Sequence, residues 1–321
     1  MKIVVTGATG HIGSYVIKDL AKQFPGSEVV MIDNMITQRY PSLFNLPSGG
    51  RYKFIEDDVI TMDLHPVLKD AHVVIHLAAI TNAAASFENA AQVEENNYLA
   101  TLKVSEACLA TNTRFMLVSS TSVYGTQNKI VAEDCSPEEL QPQSPYATTK
   151  LKEEELIVGL CAKKGLKGMI FRFGTIFGVS AGIRFHTAVN KFCWQAVMGQ
   201  PITVWSTVYE QKRPYLDLSD ASKALCFMIH KDIFDGRIYN VLTQNATVKQ
   251  VVDTIREFVP ALEIQFVDNK IMNQLSYEVS CERFRSLGFN FSGDLHHAIE
   301  ETIALLRQAN YTDIRENNNA L

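Results

Sequence analysis

The chain opens with an apolar run, Lys2–Thr6, that breaks into a glycine-rich stretch and then into a helical pattern over His11–Gln23. The same alternation continues downstream. Short apolar runs at Val29–Asp33, Tyr52–Glu56, Val73–Leu77, Phe115–Ser119 and Met169–Phe173 read as strands, and Asn97–Thr111 and Tyr146–Lys163 read as helices. Continuous apolar strands separated by helices belong to a parallel sheet covered on both faces. The predicted fold class is therefore α/β, a doubly wound parallel sheet. After about residue 176 the rhythm changes. Val179–Trp205 holds a helix and a short strand, and the remainder is mainly helical with short strands around Ile202–Trp205, Ile238–Val241 and Ile264–Val267. The expectation is a core over 1–175, a smaller C-terminal cap over 176–315 that returns to the core around 212–241, and a frayed tail over 316–321.

With 321 residues, 46% of them hydrophobic, the chain is long enough to bury a large core. Its net charge of −5 and the lack of a basic run leave no electrostatic footprint for nucleic acid. No apolar run approaches the roughly 18 residues of a membrane span, so neither nucleic acid nor membrane is an expected partner. The six cysteines (Cys108, Cys135, Cys161, Cys193, Cys226, Cys281) are scattered, with no C-x-x-C, and the eight histidines form no ligand-like spacing. This pattern predicts free thiols in a reduced, cytoplasmic compartment and no metal site. The first residues already read as a buried strand, so no secretory leader is expected.

Chemistry enters at three places. Gly7-Ala8-Thr9-Gly10-His11-Ile12-Gly13 joins the first strand to the first helix. Gly7 permits a tight turn, Gly10 lets the backbone approach a pyrophosphate, and Gly13 allows close helix–strand packing, which is the dinucleotide-binding arrangement of a Rossmann fold. The helix amino end then offers N–H groups to the anion. Asp33 ends the second strand, where a carboxylate accepts hydrogen bonds from adenosine ribose hydroxyls and repels a 2′-phosphate. NAD is thus the expected cofactor, with Arg39 the nearest contrary charge. Second, Tyr146 and Lys150 lie four residues apart in Ser144-Pro145-Tyr146-Ala147-Thr148-Thr149-Lys150, on one face of a helix. An ammonium there favours the phenolate and turns a phenol of ordinary pKa about 10 into a usable base. Third, the strand Phe115–Ser119 runs into Ser120-Thr121-Ser122-Val123-Tyr124-Gly125. Active groups collect at the carboxyl ends of such strands, and a hydroxyl there can hold a substrate oxygen against Tyr146.

In this order the motifs resemble those of the extended short-chain dehydrogenase/reductase family, in particular its nucleotide-sugar epimerases and dehydratases. The resemblance spans nearly the whole chain: TGATGHIG, Asp58-Val59, His76-Leu77-Ala78-Ala79, Asn97 with Ala100-Thr101, SSTSVYG, SPYATTK, and the segment from Gln211 through Arg213 to Asp220. It implies that Tyr146 is the acid/base, that Lys150 tunes it and binds the nicotinamide ribose, and that Ser120 assists. Asp58 is implied to contact the adenine and Asn97 to lie near the nicotinamide end. The implied cofactor set is Gly7, Gly10, His11, Ile12, Gly13, Asp33, Asn34, Asp58, Val59, Leu77, Ala78, Ala79 and Asn97, with Tyr146 and Lys150.

On the substrate side the resemblance implies Ser120, Thr121, Ser122, Tyr146, Thr175, Arg213 and Lys270. Arg213 matches the family arginine that binds the diphosphate of a nucleotide sugar. Lys270 stands near the family's second phosphate-binding arginine, and Thr175 where an asparagine is frequent. Gln274, Tyr277, Arg184 and His186 are further candidates for specificity. Family dehydratases carry Asp-Glu at the two positions after the assisting hydroxyl, and family decarboxylases a glutamate at the second; this chain has Thr121 and Ser122. Without a carboxylate there, elimination lacks its extra proton carrier. The expected function is therefore an NAD-dependent epimerase of a nucleotide sugar, at C4 of a UDP-hexose. The alternatives are a dehydrogenase or reductase with net redox on a sugar nucleotide or small hydroxy substrate, and a non-catalytic dinucleotide-sensing or scaffold protein. The family pairs the helices Asn97–Thr111 and Tyr146–Lys163 of two copies in a four-helix bundle, which implies a homodimer.

Overall fold

The computed structural model describes residues 1–81, 85–125, 130–267 and 277–309. Seven strands form one parallel sheet, in the order β10-β6-β5-β4-β1-β2-β3. They are β1 (Lys2–Thr6), β2 (Glu28–Asp33), β3 (Arg51–Glu56), β4 (Val73–His76), β5 (Arg114–Ser120), β6 (Gly168–Phe173) and β10 (Ile238–Val241). The helices between them are α1 (His11–Gln23), α2 (His65–Leu68), α3 (Ala90–Thr111), α4 (Pro145–Lys164) and, before β10, α6 (Leu218–Lys231). The doubly wound sheet expected from the apolar runs is thus present, and its members explain why those runs are continuous rather than alternating. Ile3 and Val5 face α1 and α6 with Val29, Met31, Ile75 and Met116. Val4, on the opposite face, packs with Val30, Val74 and Phe115 against Ala100, Val104 and Cys108 of α3 and Ile157 and Leu160 of α4. With a side-chain period of two and both faces covered, successive positions along the central strands are apolar, apart from buried polar residues such as Thr6, His76 and Arg172 that find partners. Each such burial stabilises by about 1.5–3 kcal/mol.

Strand order reverses between β1 and β4. The chain winds outward from β1 through β2 to β3, then crosses back to β4 and proceeds the other way. A crevice opens beyond the carboxyl ends of the strands at that point. It sets the turn after β1 beside the Leu77–Ala79 segment after β4.

The remaining strands build the smaller C-terminal part. β7 (Thr175–Phe177), β9 (Lys212–Asp217) and β11 (Gln244–Thr247) form a three-stranded sheet, and β8 (Ile202–Trp205) pairs with β12 (Ile264–Val267). Helices α5 (Ala188–Val197), α7 (Val248–Phe258) and α9 (Leu295–Arg307) share a separate core with Ile202, Val204 and Tyr215, while the short α8 (Glu282–Arg285) sends Phe284 into the main core. Among the described residues no helix is long and apolar enough to cross a membrane.

Three elements differ from expectation. Helix α3 begins at Ala90 rather than Asn97; its first two turns are mostly exposed and only Val93 points inward, so they carry no apolar periodicity. The antiparallel pair β9–β11 joins Lys212-Arg213-Pro214 to Asn245-Ala246-Thr247, residues with neither apolar alternation nor strand-like composition. The pairing is set by tertiary contact rather than by local pattern, and it places Arg213 in the wall of a cavity.

Candidate active site

At two of its glycines the turn has no room for a side chain. Gly7 has φ +64°, and a Cβ there would lie 2.6 Å from the Ala78 nitrogen. A Cβ on Gly13 would lie 2.3 Å from the Gly7 carbonyl oxygen. The amino end of α1 is Gly10, with no side-chain cap, so it is open to an anion. From β2, Asp33 accepts hydrogen bonds from the backbone N–H of Thr9 (2.9 Å) and of Met35 (3.0 Å). Next to it Asn34 donates to Asp58 Oδ2 (3.0 Å), and Asp58 Oδ1 accepts from the Ile60 N–H (2.9 Å).

Two cavities flank this turn. One, of about 130 Å3, is lined by Asp33, Asn34, Asp58, Val59 and Ala78. The other, of about 300 Å3, is lined by His11, Ile12, Gly13, Ser120, Thr121, Ser122, Tyr146, Lys150, Thr175, His186, Arg213 and Tyr277. Gly7, Gly10, Leu77, Ala79 and Arg184 line both, so the two are halves of one cleft that bends over the turn. Nearly every residue singled out from sequence lies in these walls. Asn97 does not: it is fully buried, and its amide is engaged by Ile80, accepting from the N–H (2.8 Å) and donating to the carbonyl (2.9 Å). It shapes the loop after β4 instead of facing the cleft. Lys270 and Gln274 lie outside the described residues.

Helix α4 delivers Tyr146 and Lys150. Ser144 caps it by accepting from the Ala147 N–H (3.2 Å), Pro145 occupies its first position, and Gly165 closes it with φ +74°. Strand β5 delivers Ser120. Its Oγ accepts from both the N–H (3.2 Å) and the hydroxyl (2.9 Å) of Ser122, which fills its lone pairs and leaves its own O–H to donate. One buried cluster keeps these elements in register. Glu154 of α4 accepts from Ser119 Oγ of β5 (2.5 Å) and from Arg172 of β6 through Nε (3.0 Å) and NH2 (2.6 Å). The Arg172 guanidinium also stacks 4.7 Å from the Tyr124 ring centroid.

Electrostatics in the cleft differ from the simple expectation. Lys150 does favour the Tyr146 phenolate, but burial outweighs it, and the phenol stands above its ordinary pKa. The reason is partly a group with no signal in the sequence. Lys150 is 3% exposed, and its ammonium pairs with Glu153 Oε2 at 2.9 Å. Within the charged run Lys152-Glu153-Glu154-Glu155, both central carboxylates are buried.

The Ser180–His186 stretch, in which only Arg184 and His186 were named from sequence, is a strap across the glycine turn. His11 Nε2 donates to the Gly178 carbonyl (2.9 Å), Ser180 Oγ to the His11 carbonyl (2.8 Å), and Gly182 N–H to Ser14 Oγ (2.9 Å). Arg39 donates to the Gly182 carbonyl and Arg184 to Thr81 Oγ1. A side chain at Gly182 would strike the Thr9 carbonyl oxygen at 2.4 Å.

Comparison with known proteins gives concordant matches. The NAD dependent epimerase/dehydratase family matches residues 3–241. The trifunctional UDP-glucose 4,6-dehydratase/UDP-4-keto-6-deoxy-D-glucose 3,5-epimerase/UDP-4-keto-L-rhamnose-reductase RHM2 of Arabidopsis thaliana is 28% identical over 94% of this chain. The match covers 46% of that protein, so the chain spans less than half the length of this relative. The uncharacterized UDP-glucose epimerase YtcB of Bacillus subtilis (strain 168) is 31% identical, over 80% of this chain and 82% of its own. Among solved structures, a UDP-glucuronic acid 4-epimerase from Bacillus cereus in complex with UDP-glucuronic acid and NAD has a TM-score of 0.86 at 25% identity, covering 96% of this chain and 100% of that one.

Proposed function

Given that the chain belongs to the NAD dependent epimerase/dehydratase family, we propose that it is an epimerase of a nucleotide-activated sugar, acting at C4 of a UDP-hexose. The observation that carries this reading is the composition of the larger cavity wall. Among the described residues it holds Ser120, Thr121, Ser122, Tyr146, Lys150, Arg184 and Arg213, and no aspartate or glutamate. Eliminating water needs an additional acid and base; oxidation and re-reduction at one carbon need one proton acceptor that later returns the proton.

The residues present fit NAD as the cofactor. Gly7 and Gly13 admit no Cβ, α1 presents an uncapped amino end to a pyrophosphate, and Asp33 and Asp58 line the smaller half of the cleft for ribose and adenine. When bound, NAD supplies the reversible hydride acceptor. Tyr146 accepts the proton of the sugar hydroxyl and gives it back, the free O–H of Ser120 steadies the sugar oxygen, and Lys150 holds the phenol and the ribose. Arg213 receives the substrate diphosphate as a planar fork, with Lys270 as its expected companion and Thr175 at the sugar. Residues 1–175 would then form the nucleotide-binding part and 176–315 mainly the substrate cap. A homodimer through α3 and α4 accompanies this reading, since the two helices pack side by side and Val158 of α4 is 40% exposed. The free state of all six cysteines suits a cytoplasmic enzyme.

The test is incubation of the purified protein with a panel of UDP-, GDP- and dTDP-sugars, including a uronic acid, with products followed by NMR. Inversion at C4 without net NADH is expected. Steady NADH release would transfer the assignment to a dehydrogenase, and a 6-deoxy-4-keto product to a dehydratase. Tyr146→Phe should lose about 10²–10⁴-fold in rate while keeping its NAD.

A further inference from the structure

Behind the Tyr146–Lys150 pair stands a buried carboxylate that the proposed reaction leaves unused. The Glu153 side chain is 0% exposed. Its Oε2 accepts from Lys150 Nζ at 2.9 Å and from Thr101 Oγ1 of α3 at 2.8 Å, while Oε1 has no partner. Its neighbour Glu154 is matched by the Arg172 guanidinium and Ser119; Glu153 has only the one ammonium and one hydroxyl.

We propose that Glu153 is a positioning residue for proton transfer: it anchors the Lys150 ammonium and keeps Tyr146 in its phenol form until a further positive charge enters the cleft. The inference rests on the reading of Tyr146 as the acid/base. Buried charge is what couples the three groups. Lys150 and Glu153 together are neutral, so ionising Tyr146 places an uncompensated negative charge among them. With Lys150 alone, the same phenolate would be balanced. The other groups facing this trio do not cancel the effect. On α4, Glu154 is already matched by Arg172 from β6. From β4, His76 is neutral, pushed down to about 3 by burial and then by Lys150. From α3, Thr101 is uncharged, and from the strap Arg184 alone adds a positive field toward Tyr146. In agreement with this balance, burial and then Glu153 raise the Tyr146 phenol, against Lys150 and Arg184. Lys150 itself, disfavoured by burial, is raised by Glu153 and the Tyr146 oxygen.

The consequence suits a reaction that must return its proton. The O–H proton leaving the sugar becomes the Tyr146 phenol proton, and the same proton goes back to the same sugar oxygen when the carbonyl is reduced. A phenol favoured by Glu153 keeps it in the interval.

Titration of Tyr146 by its near-ultraviolet phenolate absorbance, taken as the difference from Tyr146→Phe in the full chain, tests the proposal with and without added NAD. Glu153→Gln should move the titration to lower pH by about one unit or more. The rising limb of the pH–rate profile should move the same way, with KM for the nucleotide sugar little changed. Glu153→Ala removes the charge without setting an amide against the ammonium, and the same direction is expected. An unchanged or upward titration in the folded variants overturns the proposal, as does failure of both to fold, which would make the carboxylate a structural anchor only. The titration needs no substrate, so it is decided independently of the reaction. Undiminished sugar turnover by Tyr146→Phe would instead sink the functional reading.

Discussion

Asp33 and Thr9 are joined by a hydrogen bond of 2.9 Å from the Thr9 backbone N–H to Asp33 Oδ2, and the other carboxylate oxygen holds the Met35 N–H at 3.0 Å. One side chain at the end of β2 therefore fixes both the turn after β1 and its own following loop, while lining the smaller half of the cleft. Hydrogen bonds to a charged acceptor contribute about 1.5–3 kcal/mol each. Asp33→Ser should loosen the turn and lower NAD affinity by about tenfold or more. NADP, whose phosphate the carboxylate repels, should lose less or gain. Calorimetric titration of the variant with both dinucleotides reads the ratio. An unchanged NAD-to-NADP preference would remove Asp33 from cofactor selection.

Gly13→Ala sets two effects against each other. Alanine in a helix is favoured over glycine by about 1 kcal/mol. The added Cβ, however, would meet the Gly7 oxygen at 2.3 Å and the Ala8 oxygen at 2.7 Å, both backbone atoms. Overpacking of this kind costs about 1–3 kcal/mol, and the turn must move to relieve it. A lower melting temperature with a larger loss of NAD affinity is the expected outcome. A stabilised variant that binds NAD normally would show that the turn has slack.

The legible parts of the molecule were those where one physical rule decides the residue. Ile3, Val4 and Val5 had to be apolar because both faces of β1 are covered, and Gly7 and Gly13 had to lack a Cβ because backbone lies where it would be. Tyr146 and Lys150 were legible through helical spacing and Ser120 through the family resemblance at a strand end, and all three line the cleft. Illegible were features set by tertiary pairing. Arg213 and Ala246 are partners across the β9–β11 pair, a contact that local composition does not signal. Glu153 resembles any surface glutamate until α3 brings Thr101 beside it. Asn97, expected at the cleft, turns its amide to Ile80 because the loop after β4 has polar backbone to satisfy.

The pair Arg172–Glu154 lies in the interior, with 2% exposure on each side chain. Removing one partner strands the other charge, at a cost of about 3–5 kcal/mol. Arg172→Met should therefore destabilise the protein strongly and disturb the Ser120–Tyr146 register, since Ser119 shares the same carboxylate. Arg172→Met combined with Glu154→Leu should recover most of the stability, because no lone charge is left. Denaturant unfolding of the single and double variants measures both. A double variant no more stable than the single one would mean that shape complementarity, not charge, dominates at this site.

His76 and His11 make stability sensitive to acid. His76 is 1% exposed, its Nδ1 lies 2.8 Å from Thr6 Oγ1, and burial followed by the Lys150 charge pushes it down to about 3. His11 is lowered to about 4, by burial first, with its bond to the Gly178 carbonyl opposing and Arg184 and Arg39 adding to the fall. Both folded values lie below the ordinary 6.5. Above pH 6.5 neither state holds these protons, so they add no pH dependence. Below it the unfolded chain takes up protons that the folded chain refuses, and stability falls by up to about 1.4 kcal/mol per pH unit for each histidine. The fall from His11 ends near pH 4 and that from His76 near pH 3. His76→Asn keeps an acceptor for Thr6 but has no proton to gain. Unfolding free energies measured by denaturant between pH 6.5 and 4 should therefore drop less steeply in the variant, by about one proton's worth of slope. Equal slopes in parent and variant would show that His76 is protonated in the folded protein as readily as in the unfolded chain.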